Sequence, residues 1–109
     1  MKELLLRCRG VGEVHGDCTS TVYYELTRPC TVRELCEYIV SNDREWGYIG
    51  IKVPGTIFGE PRIEYSGGKF VDKDGNEIKF NFPKDIADKT VKKVHASGGW
   101  SRMDYLLEI

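Results

Sequence analysis

Apolar and polar residues alternate along the start of the chain, where Leu4, Leu6 and Cys8 share one parity and Glu3, Arg7 and Arg9 the other. A period of two places successive side chains on opposite faces, so Lys2 to about Val14 is expected to form a half-buried strand. Gly10, Gly12 and Gly16 interrupt the next stretch, and from Thr19 to Thr27 the alternation resumes, with Val22, Tyr24 and Leu26 opposed to Thr21, Tyr23 and Glu25. The two runs predict a hairpin with an irregular, glycine-rich connection.

The pattern then changes period. Arg28-Pro29-Cys30 ends the strand, and Thr31-Val32-Arg33-Glu34 has the form of a capping box, in which hydroxyl and carboxylate each accept from the other residue's backbone N–H. Cys30 and Leu35 suit the hydrophobic staple that accompanies such a box. Val32, Leu35, Cys36, Ile39 and Val40 recur at helical spacing, leaving Arg33, Glu34, Glu37 and Ser41 on the other side. Ser41, Asn42 and Asp43 compete for local hydrogen bonds, so the helix is expected to end near Asn42.

From Trp46 the period returns to two, through Ile49, Ile51 and Val53, and Pro54-Gly55 marks a turn. Ile57 to Tyr65 contains Gly59 and Pro61, which suit an edge strand or a bulge. After Ser66-Gly67-Gly68, the segment from Lys69 to Phe82 predicts a second hairpin. Its tip is Asp74-Gly75, and its returning arm carries Ile78, Phe80 and Phe82 in alternation. One short helical turn is expected between Pro83 and Asp88, then a strand from Val91 to Ala96. After Ser97-Gly98-Gly99, a closing strand carries Met103, Tyr105, Leu107 and Ile109 on one parity. The expected fold is a single α+β domain over residues 1–109, a mainly antiparallel sheet with one amphipathic helix packed on one face. A β-grasp-like arrangement fits this element order, which leaves strand order open.

Composition narrows the functional classes. The 109 residues suit one domain, and 40% hydrophobic with 30% charged residues is ordinary globular composition rather than that of a disordered chain. Sixteen basic against seventeen acidic residues give a formal net charge of -1, which argues against blanket affinity for nucleic acid. No uninterrupted apolar run exceeds three residues, as at Leu4 to Leu6, whereas a membrane-crossing helix needs roughly 20. With no apolar leader and small-residue cleavage site near the N-terminus, cytoplasmic residence is the expectation, with Cys8, Cys18, Cys30 and Cys36 as reduced, core-like thiols.

Candidate chemistry was weighed against these plainer roles. Cys8, His15 and Cys18 are zinc-type ligands, but their spacing matches no closed zinc module. Cys30, just ahead of the helix cap, is the best-placed nucleophile, with His15 or His95 as base, yet no cysteine-enzyme signature surrounds it. Asp72 to Glu77 begins like a calcium loop and then fails, with Glu77 where glycine is required and Pro83 where a bidentate glutamate belongs. The glycines from Gly10 to Gly16 do not make a dinucleotide fingerprint. Lys84, Lys89, Lys92, Lys93, His95 and Arg102 near Trp100 suggest a nucleic-acid patch, but Asp85, Asp88 and Asp104 dilute it.

No cofactor and no metal is required by any of these motifs. What stands out is Trp100 and Arg102 in the turn after Ser97-Gly98-Gly99, together with Trp46 and Tyr48, near Arg44. These are residue types that anchor protein interfaces. The leading expectation is therefore a non-enzymatic protein-binding or regulatory module, with a cysteine/histidine enzyme or zinc protein and a nucleic-acid-associated protein as the alternatives. A homodimer through the edge near Pro61 stays open. Glu45-Trp46-Gly47-Tyr48 after the helix, combined with Ala96 to Tyr105, resembles small uncharacterised proteins of gut bacteria and their mobile elements. That resemblance implies no activity, ligand or catalytic residue.

Overall fold

The capping box at Thr31 forms in the computed structural model of the chain, which describes residues 4–14, 20–43, 45–53, 61–99 and 102–109. The Thr31 hydroxyl accepts from the Glu34 N–H at 3.2 Å, and the Glu34 carboxylate accepts from the Thr31 N–H at 3.1 Å. Arg28 donates to the same carboxylate at 3.1 Å. The helix that follows, α1 (Val32–Asn42), buries Val32, Leu35, Cys36, Ile39 and Val40 and exposes Arg33, Glu34, Glu37 and Ser41. Cys30 and Leu35, the expected staple pair, both lie in the core.

The strands are β1 (Leu6–Val14), β2 (Ser20–Leu26), β3 (Trp46–Lys52), β4 (Arg62–Ser66), β5 (Lys69–Val71), β6 (Lys93–Gly99) and β7 (Arg102–Glu108); a short helix, α2 (Lys84–Ala87), precedes β6. Among the described residues these strands make one mixed sheet in the order β1-β2-β6-β7-β3-β4-β5. Every pairing is antiparallel except that of β3 with β7, which run parallel from Trp46 beside Arg102 to Lys52 beside Glu108. The closing strand therefore lies at the centre of the sheet, joining the first hairpin to the β3-β4-β5 meander. Ile49, Ile51, Ile63, Tyr65, Val94, Ala96, Tyr105 and Leu107 form the core with the buried stripe of α1.

Three expectations need correction. Leu4 is 53% exposed and Cys8 is exposed, while Leu5 and Leu6 are both buried. The Leu5 carbonyl already accepts from the Thr27 N–H at 3.0 Å, so two consecutive residues are buried where the strand begins, and the register of β1 on β2 shifts between Cys8 and Gly10, which breaks simple alternation. Cys8 is thus a surface thiol rather than a core residue. The strand after Pro61 is also no edge, because β4 is flanked by β3 and β5. Pro61 precedes its first residue, where its carbonyl still accepts from the Ile51 N–H at 3.0 Å.

The hairpin expected from Lys69 to Phe82 forms only at its tip. The Asp72 carboxylate accepts from the N–H groups of Asp74 and Asn76, Gly75 takes a positive φ of 84°, and Ile78 donates to the Phe70 carbonyl at 2.9 Å. Beyond Ile78 the arm leaves the ladder, because its aromatic parity is better satisfied on the helix side. Phe80 stacks with Phe70 and Phe82 and lies under the Arg33 guanidinium, and Phe82 is buried. The sheet is mainly antiparallel, as expected, and is mixed through its β3–β7 pair. No helix among the described residues is long and apolar enough to cross a membrane.

Candidate binding face

Core packing occupies one face of the sheet, and no helix or strand among the described residues covers the other. Because side chains alternate, burying Ile49 and Ile51 of β3 turns Trp46, Tyr48 and Gly50 to the opposite face. The same parity turns Arg62 and Glu64 outward on β4, Arg102, Asp104 and Leu106 on β7, and Lys93 and His95 on β6. The parallel register then sets Trp46 beside Arg102 and Tyr48 beside Asp104.

The resulting cluster is an interlocked stack. The Arg102 guanidinium lies 5.6 Å from the Trp46 ring centre and 5.3 Å from that of Tyr48, and Asp104 accepts from it at 2.8 and 3.2 Å. Arg62 sits over the other side of Tyr48, 4.6 Å from the ring centre. Trp46 and Tyr48 meet edge to face at 5.9 Å. Each cation–π contact at such half-exposed positions contributes about 0.5–1 kcal/mol, which biases the side chains toward this arrangement before any partner arrives.

Beside the stack is a shallow cavity of about 660 Å³, crossing the sheet from Tyr23 on β2 to Arg62 on β4. Gly50 contributes no side chain to its floor, and Leu106 is the apolar group there. Of the charged residues lining it, Arg62, Lys93 and Arg102 are cationic and Asp104 is anionic, so the depression is locally positive on a chain whose net charge is -1. His95 meets the Glu108 carboxylate at 2.9 Å. That hydrogen bond, helped by Lys52 and Lys93, holds the Glu108 carboxyl below its ordinary range.

Of the four interface residues expected from sequence, the structure brings together Trp46, Tyr48 and Arg102. Trp100 lies outside the described residues, as do Arg44, His15 and Cys18 and the Pro54-Gly55 turn. Arg62 and Arg102 both lie over the Tyr48 ring, and Arg102 lies over that of Trp46 as well. Sequence reasoning missed Arg62, although its parity against the buried Ile63 and Tyr65 was readable. It could not have paired Arg62 or Arg102 with Tyr48 without the strand order.

Among the described residues no cysteine is placed beside His95. Cys30 and Cys36 are buried on the helix side, and burial pushes the Cys36 thiol well above its ordinary range. His95 stands on the opposite face of the sheet. Among the described residues no three His, Cys, Asp or Glu side chains gather as metal ligands would. Compared with protein-family models, curated proteins and solved structures, the chain finds no match.

Proposed function

We propose that the chain is a small non-enzymatic module that binds another protein over the uncovered face of its sheet. The observation that carries this reading is the Trp46–Tyr48–Arg62–Arg102 stack standing beside an open depression. Trp, Tyr and Arg dominate measured interface energies, and side chains already ordered in the free protein lose less entropy on binding. Carboxylates of Glu64, Asp104 and Glu108 interleave with the cations of this face, which disfavours a phosphate backbone as the occupant. The resemblance to small proteins of gut bacteria and their mobile elements adds context and no activity.

A photo-cross-linking residue placed at Glu64, on the open face, and separately at Glu37, on the exposed side of α1, tests the reading. A defined protein should be captured from native lysate at position 64 and not at 37, and Trp46→Ala with Arg102→Ala should abolish that capture. Equal labelling at the two positions, or capture indifferent to the double substitution, would remove the assignment.

A further inference from the structure

The register of the sheet aligns five outward positions in one row across the strands. Arg62 pairs with Gly50, Gly50 with Leu106, Leu106 with His95, and His95 with Tyr23. The depression follows this row. At one end is the Arg62 guanidinium, its central carbon 4.6 Å from the Tyr48 ring centre, and Gly50 and Leu106 line the middle of the depression. Among the described residues Arg62 has no carboxylate within ion-pair distance, whereas Arg102 is engaged by Asp104 and His95 by Glu108.

Resting on the protein-binding reading above, we infer that the partner segment is an extended, acidic peptide lying across the strands. An Asp or Glu carboxylate meets Arg62, and an aromatic or aliphatic side chain two residues away fills the gap over Gly50 and Leu106. The spacing follows from two repeats. Neighbouring strands are about 4.8 Å apart, so the middle of the gap lies roughly 7 Å from the Arg62 strand. Two residues of extended chain also span about 7 Å, and side chains at i and i+2 point to the same side. Charge selects the sign: Arg62, Lys93 and Arg102 line the depression against Asp104 alone, with Glu64 and Glu108 beside it, and a guanidinium edge donates two parallel hydrogen bonds to a carboxylate. Lys93 at the far end adds to the positive field but shares Glu108 with His95, so the acidic position is assigned to the Arg62 end.

The test selects peptides from a random display library on the immobilised full chain and titrates the consensus peptide by fluorescence anisotropy and amide chemical shifts. The expected consensus has an acidic residue two positions from an aromatic or aliphatic one. Its shifts should centre on Arg62, Gly50 and Leu106, and Arg62→Gln, an exposed substitution that spares the core, should weaken it about tenfold or more. Arg62→Lys should restore only part of the affinity. Binding to the same face by neutral or basic peptides, or affinity unchanged in Arg62→Gln, overturns this inference and leaves the protein-binding reading standing. No enrichment, or shifts confined to α1 and β1, overturns both.

Discussion

Gly47 on β3 lies so close to Met103 on β7 that a Cβ built on it would come within 2.0 Å of the Met103 carbonyl oxygen and 2.9 Å of the Tyr65 hydroxyl. The parallel β3–β7 seam that creates the Trp46–Arg102 stack one residue away thus depends on a missing side chain. Gly47→Ala should force the seam apart and destabilise the fold by at least about 3 kcal/mol, since the obstruction is backbone rather than a movable side chain. Urea unfolding measures this; a midpoint matching the wild type would contradict the packing described.

The capping box supplies a local contribution. Thr31→Ala leaves the Glu34 N–H without its side-chain acceptor and should cost about 1 kcal/mol, read from the same urea transition.

Two carboxylates make stability depend on acid. The Thr31 N–H and the Arg28 guanidinium hold the Glu34 carboxyl below its ordinary value of 4.5, and the hydrogen bond from His95 does the same for Glu108. A folded value below the unfolded one contributes stability above the unfolded value, and that contribution is lost as pH falls through the folded one. The urea midpoint should therefore hold from pH 7 to near the ordinary carboxylate value and decline at lower pH. Glu34→Gln, which keeps the box but not the titration, should flatten part of the decline; both groups are solvated, so the effect is modest.

Thiol reactivity should divide the cysteines by location. Cys8 is exposed, whereas Cys30 and Cys36 are 3% and 0% exposed. Mass mapping after brief treatment of the native protein with an alkylating reagent should find Cys8 modified and Cys30 and Cys36 intact until denaturant is added. Rapid native modification of Cys36 would contradict its place on the buried stripe of α1.

Removing the last eight residues should unfold the protein rather than trim it. Among the described residues β7 alone stands between β6 and β3 in the sheet, and its Tyr105 and Leu107 are core residues. Burial of two such side chains contributes roughly 1.5–3 kcal/mol each, a large share of the 5–15 kcal/mol that holds a typical domain together. A truncation that retained a cooperative thermal transition would be inconsistent with the central position of β7.

Local interactions made much of this fold readable from the chain. The helix from its Thr31 cap to Asn42, its buried stripe, the turns at Gly67-Gly68 and Asp74-Gly75, and the inward parity of Ile49, Ile51, Tyr105 and Leu107 all follow from residues a few positions apart, because helical and strand periods and caps are short-range. Trp46, Tyr48 and Arg102 were recognisable one by one as interface residue types. Their meeting was not, nor was the part played by Arg62, because it depends on β7 entering the sheet beside β3 across more than fifty residues of chain, and alternation states which face a residue takes without stating which strand lies next to it. Tertiary packing also decided where parity fails, leaving Cys8 exposed beside the register shift of β1 and drawing Phe80 and Phe82 out of the ladder toward the core.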